Sequence, residues 1–186
     1  MTALLKTWNW EEPYFTTEEI KEANEAIKSG YTEKQSFTKG AMENDKPLRN
    51  IEPEAAFVTN TSRKTQEAIH QAIRTCQYQF GYSLFAPNMF DTILYNVYSS
   101  DIQGHYGLHQ DKARSDMYDI KMTLLINLSE QEYEGGNLVI EDETQEFMRK
   151  PGSMILFKSG MFHKITPVTK GIRKSAVMWV NGPPIR

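Results

Sequence analysis

From Thr92 onward the chain breaks into short apolar runs with no helix-length amphipathic segment between them, and this texture restricts the fold more than any other feature. The runs are Thr92 to Tyr98, His105 to His109, Ile120 to Leu128, Asn137 to Glu141, Gln145 to Met148, Ser153 to Phe157, His163 to Thr166 and Ile172 to Val180. Turn residues separate them: Ser99-Ser100-Asp101, Glu134-Gly135-Gly136, Pro151-Gly152, Ser159-Gly160 and Pro167 to Gly171. Such runs read as strands. Strands joined by turns, with no helices interleaved, close into a sandwich or jelly roll and not into a parallel sheet.

The first 90 residues have a different period. Thr16 or Thr17 can cap a helix that begins at Glu18-Glu19-Ile20 and runs to about Ser29, with Gly30 just beyond. Its apolar positions, Ile20, Ala23, Ala26 and Ile27, share one face. Thr61 or Ser62 can cap a second helix from Arg63 to about Phe80, whose stripe of Ala68, Ile69, Ala72, Ile73, Cys76 and Phe80 faces a core. His70 and Cys76 are structural residues in this reading. Between the helices, Tyr31 to Pro53 is polar and broken by Gly40, Asn44-Asp45 and Pro47, which predicts a loop at the edge of a site, and Ala55 to Val58 suits a short strand. The expectation is one domain over 1–186, mainly β with N-terminal helices (α+β): residues 1–90 form helical support and a loop region, and 91–184 a jelly-roll core.

Composition narrows the partners. A net charge of −3 gives no general attraction to a phosphate backbone, so nucleic acid is not the expected partner. The single cysteine, Cys76, leaves no disulfide and no CxxC pair. No run approaches the roughly 18 apolar residues of a membrane span, and the N-terminus has no leader pattern, which predicts a soluble cytoplasmic protein without a membrane partner. Nothing specifies an oligomeric state.

The chemistry concentrates in Tyr106-Gly107-Leu108-His109-Gln110-Asp111, where an imidazole and a carboxylate at alternate positions of an extended chain share a face. By the same alternation His105 joins His109 on that face. Downstream stand His163 and Arg173. A hairpin turning at Val168 sets these two opposite each other, with Cβ atoms about 4.5–5.5 Å apart. Ser175, Val177 and Trp179 then follow Arg173 on its face, with Ser175 placed to help the arginine hold a carboxylate. Two imidazoles and a carboxylate with open positions suit a non-haem Fe(II) centre, and a nearby arginine fork suits a carboxylate of a small chelating acid.

The stretch from about Thr92 to Pro184 also resembles the core of the Fe(II)- and 2-oxoglutarate-dependent dioxygenases, in the prolyl 4-hydroxylase-like group that includes PKHD-type hydroxylases. The matching features are Tyr98, Tyr106 to Asp111, Thr123 to Ser129, Tyr133-Glu134-Gly135-Gly136-Asn137-Leu138, Pro151 to Phe157, His163 to Arg173, and Trp179. The resemblance implies a double-stranded β-helix (jelly-roll) catalytic core. It makes His109, Asp111 and His163 the iron ligands and Arg173 the partner of the distal carboxylate of 2-oxoglutarate. Tyr98 matches a tyrosine that contacts the co-substrate in relatives, and Asn127 stands where several prolyl hydroxylases have a second such tyrosine. It also implies O2 as oxidant, succinate and CO2 as products, and ascorbate as a reductant that some relatives use to restore Fe(II). A peptidyl side chain, proline first, is the substrate it favours. A free amino acid or other small metabolite, and a non-catalytic jelly-roll binding module, are the alternatives. The R-x-N-x-T-F-R pattern of nucleic-acid dealkylases is missing from Arg173 to Trp179.

Overall fold

The computed structural model describes residues 6–10, 12–30, 42–43, 46–52, 56–58, 61–85, 93–112 and 117–184. Two helices, α1 (Thr17–Ser29) and α2 (Arg63–Tyr78), precede most of the strands. Strands β1 (Thr7–Asn9), β2 (Met42–Glu43), β3 (Lys46–Pro47), β4 (Arg49–Asn50) and β5 (Ala56–Val58) lie in the N-terminal part. The rest are β6 (Ile93–Ser99), β7 (His105–His109), β8 (Asp119–Asn127), β9 (Glu134–Gly135), β10 (Leu138–Ile140), β11 (Glu143–Thr144), β12 (Met154–Lys158), β13 (His163–Ile165), β14 (Val168–Lys170) and β15 (Ile172–Gly182). A large sheet runs β1-β12-β8-β15-β6-β5, and a smaller one runs β11-β10-β13-β7-β4. From β6 on the chain crosses repeatedly between the two sheets, β6, β8, β12 and β15 lying in the large one and β7, β10 and β13 in the smaller, as in a jelly roll. Among the described residues no helix is long and apolar enough to cross a membrane.

Alternation along the large sheet sorts its residues into two cores. Met122, Leu124 and Ile126 of β8, with Ala176, Met178 and Val180 of β15, point outward and are covered by Ile20, Ala23 and Ile27 of α1 and Ala68, Ala72 and Cys76 of α2. Leu125, Ile155 and Phe157 point inward and meet Leu138, Ile140 and Ile165 of the smaller sheet. The caps that fix the helices are local. Thr16 and Glu19 form a capping box for α1, and the Ser62 hydroxyl accepts the Thr65 N–H for α2. Asn24 pins α1 to the sheet through Leu128 O, while its Oδ1 accepts the Tyr95 hydroxyl. Buried among these groups, the Cys76 thiol is pushed up to about 12, as suits a structural cysteine, and His70 lies on the exposed face of α2.

Several expectations are corrected. Gln145 to Met148 is not a strand: Glu146–Arg149 is a 3-10 turn, because Phe147 and Met148 both pack on the inner core, which an alternating strand cannot allow for neighbours. The hairpin between His163 and Arg173 does not form. Residues 168–170 make their own strand against β9, and the chain passes from the smaller sheet at β13 to the large sheet at β15. The expected loop from Tyr31 to Pro53 contains short strands at 42–43, 46–47 and 49–50, while its residues 31–41, 44–45 and 53 lie outside the described residues.

Candidate metal centre

Strand pairing sets His163 opposite His109, not opposite Arg173. Directly opposed residues project to one side, and the two rings lie 4.2 Å apart between centroids. Asp111 sits just past the end of β7, where its N–H bonds Ser159 O at 2.9 Å and the neighbouring Gln110 amide bonds Gly160 O. Its carboxylate reaches back between the rings. Oδ1 is 3.7 Å from His109 Nε2, and Oδ2 is 3.6 Å from His163 Nε2. One ligand atom from each residue falls within 4.8 Å of the others.

The hydrogen bonds around these side chains aim the lone pairs. Gly107 O lies 2.8 Å from His109 Nδ1, and Met161 O lies 3.0 Å from His163 Nδ1. A carbonyl only accepts, so each Nδ1 carries the proton and each Nε2 keeps its lone pair toward Asp111. Thr123 donates to Asp111 Oδ2 at 2.6 Å, which holds the carboxylate in place. Burial, reinforced by the nearby His163, pushes the His109 imidazole down to about 4, so it is neutral at pH 7. Two imidazole nitrogens and a carboxylate oxygen, each oriented by a second contact, fit a divalent iron.

A bulge in β7 shapes this wall. Ile165 faces Tyr106 while His163 faces His109, so β7 spends one more residue than β13 over the same span. Tyr106 and His109 therefore share a face, and their rings stack at 3.8 Å. His105 falls on the other face, bonded through Nδ1 to Gln103 O, which corrects the expectation that simple alternation joins it to His109.

The inner face of β15 carries the second half of the site. Arg173 is 1% exposed, pairs across the sheet with Tyr98, and has its guanidinium 5.4 Å from the Tyr98 ring centroid. Its Nη1 donates to Ser175 Oγ at 3.0 Å. Its Nε and Nη2 are buried without a partner among the described residues. A buried guanidinium with donors to spare fits a carboxylate, which accepts two parallel hydrogen bonds. Burial also pushes the Tyr98 hydroxyl up, so it stays protonated. Trp179, opposite Thr123 and half-buried, stands on the same face as Arg173.

Asn127 does not serve this pocket as expected. Its Nδ2 donates to Met148 O at 2.8 Å and Tyr133 Oη at 3.2 Å, with Arg149 O and Lys150 O close by, and its Oδ1 accepts the Ser129 N–H. Both amide hydrogens are engaged, which leaves none for a co-substrate. Sequence reasoning passed over Thr123, whose only signal is its inward parity on β8. It also passed over Asn96, a 2% exposed amide opposite Ser175 whose Oδ1 has no partner among the described residues. The Gly136 turn has a packing reason besides its φ of +57°: a Cβ there would lie 3.0 Å from Arg173 Cδ.

Comparison with known proteins bears on the family and the fold. Residues 93–181 match the 2OG-Fe(II) oxygenase superfamily. A PKHD-type hydroxylase of Picosynechococcus is 33% identical over 130 residues, covering 67% of this chain and 57% of the relative. The chain spans about half the length of the curated relatives it matches. Among solved structures, the viral collagen prolyl hydroxylase of Paramecium Bursaria Chlorella virus-1, in its 2OG complex, has a TM-score of 0.67 at 17% identity, covering 96% of this chain and 97% of that one. A Pseudomonas putida prolyl-4-hydroxylase has a TM-score of 0.68 at 14% identity, covering 96% and 94%. These two likenesses are likenesses of fold. Family match and relatives together make this chain a member of the 2OG-Fe(II) oxygenase superfamily, similar in sequence to its PKHD-type hydroxylases.

Proposed function

We propose that this chain is an Fe(II)- and 2-oxoglutarate-dependent dioxygenase that hydroxylates a substrate C–H bond, a peptidyl prolyl carbon before others, with a single domain over 1–186. One observation carries the reading: a His109, Asp111 and His163 donor set shares the interior with a buried arginine that has two nitrogens unpartnered among the described residues. When bound, Fe(II) with 2-oxoglutarate supplies the activation of O2 that places a hydroxyl on the substrate and releases succinate and CO2.

The protein's part is to hold and orient. His109 and His163 present Nε2, locked by their Nδ1–H bonds to backbone carbonyls, and Thr123 keeps the Asp111 carboxylate turned toward them. Arg173, with Nε and Nη2 unpartnered among the described residues and Nη1 steadied by Ser175, would hold the distal carboxylate of 2-oxoglutarate. Tyr98, protonated and beside the guanidinium, offers a further donor. Leu125, Phe157 and Val177 keep the space between the two ends apolar, which strengthens each polar contact.

The preference for a peptide rests on the names of the fold neighbours, which are prolyl hydroxylases. A cytoplasmic setting rests on the lone buried Cys76. Anaerobic titration with Fe(II) and then 2-oxoglutarate tests the central claim. A weak visible metal-to-ligand absorption is expected to grow to one equivalent of the co-substrate. A protein that binds neither, or develops no such band, is a jelly-roll binding module instead.

A further inference from the structure

We infer that Tyr133 is a second donor to the carboxylate held by Arg173, and that Asn127 sets its polarity; the inference rests on the reading of Arg173 as the co-substrate clamp. The argument begins with Asn127, which is wholly buried. Its Nδ2 faces the carbonyl oxygens of Met148, Arg149 and Lys150, and its Oδ1 receives the Ser129 N–H. Those groups accept and donate in one sense only, so the amide cannot turn over. Nδ2 must therefore donate to Tyr133 Oη, 3.2 Å away. As the acceptor in that bond, the hydroxyl keeps its own proton to give. No described residue is recorded as accepting it.

The surroundings say where that proton is aimed. Asn127 stands directly across the sheet from Ser175, whose hydroxyl accepts from Arg173 Nη1. Tyr133 and Arg173 thus each touch one member of this cross-strand pair. Gly136 lies between them: a Cβ built on it would be 3.0 Å from Arg173 Cδ and 3.1 Å from Tyr133 Cε2. Its lack of a side chain lets the phenol and the guanidinium share a buried corner, with Tyr133 only 7% exposed. A carboxylate in that corner accepts from Arg173 and from Tyr133 together. A tyrosine hydroxyl thereby reaches the co-substrate end from the segment after β8, and not from the strand position that Asn127 occupies.

The test uses the Mn(II)-loaded protein and two chelators that share a head group. N-oxalylglycine carries a distal carboxylate, and oxalate does not. Calorimetry on the unaltered protein is expected to show tighter binding of N-oxalylglycine, and Arg173→Ala is expected to erase the difference. If the unaltered protein does not discriminate, the Arg173 reading falls and takes this inference with it. Given discrimination, Tyr133→Phe is expected to weaken N-oxalylglycine by about tenfold or more, the worth of a hydrogen bond to a charged group, while oxalate binding stays put. Unchanged affinity for N-oxalylglycine overturns the role of Tyr133. Equal losses for both ligands also overturn it, because they mark a structural effect. Should Tyr133→Phe fail to bind oxalate, Tyr133→His returns a ring N–H. Recovery of the preference for N-oxalylglycine sustains the donor role, and its continued absence overturns it.

Discussion

The two faces of the large sheet are built from the same strands and differ by one residue of parity. On the outer face Met122, Leu124, Ile126, Ala176 and Met178 sit in an almost wholly apolar cluster with the helices and neighbouring strands. On the inner face the intervening positions are Thr123, Leu125, Asn127, Arg173, Ser175 and Val177, a mixture in which each polar group has an assigned contact or a donor to spare. The outer face works by area, and area is forgiving of which apolar side chain supplies it. The inner face works by direction, and direction is not. Stability and chemistry are thus interleaved residue by residue, so substitutions one position apart should fail in different assays.

The strongest way to break this comparison is Asp111→Ala, which is expected to abolish substrate-stimulated succinate formation while the far-ultraviolet spectrum keeps its β signature. Normal turnover would show that the inner face is not the site. Next, Leu124→Ala on the outer face is expected to cost about 2–5 kcal/mol of unfolding free energy, measured by urea denaturation, with 2-oxoglutarate affinity of the folded protein unchanged. A parallel loss of affinity would mean that the faces are coupled. One position away, Thr123→Val is expected to do the opposite: it removes the hydroxyl that steadies Asp111 and weakens iron binding by about 10–100-fold, with a smaller change in stability.

The smallest effect concerns protons. The His109 imidazole is held below its ordinary 6.5, at about 4, by burial and then by His163. The unfolded chain therefore takes up a proton first, and the folded state loses ground as acid is added. The contribution of a neutral His109 is whole above pH 6.5 and declines as the pH falls toward 4. Urea midpoints of the metal-free protein at pH 7 and pH 4.5 should show the decline, and His109→Gln should flatten it. A midpoint that rises in acid would contradict the sign.

Much of this design was legible in the sequence because it depends on parity and on side-chain type. The strands around Tyr98, His109, Asn127, Phe157 and Arg173 follow from local alternation, and the helices from Thr16, Ser62 and their apolar stripes. The pairing of strands did not follow, because a hairpin turning at Val168 and a crossing to the other sheet satisfy the same local pattern. Only burial between two sheets selects the crossing. The bulge in β7 was equally hidden: counting by twos through Gly107-Leu108 gives the wrong face for His105. Asn127 was singled out by its position in the family resemblance, and only its neighbours reveal that both of its hydrogens are engaged.

Arg173 carries a consequence beyond the reaction. Its guanidinium is 1% exposed with two nitrogens unpartnered among the described residues, and a buried charge of that kind costs the fold free energy. Anything that supplies the missing oxygens to the folded chain alone drains the unfolded population by mass action. If Arg173 holds 2-oxoglutarate as proposed, the same acid would set the resistance of the folded chain to proteases as well as its rate of work.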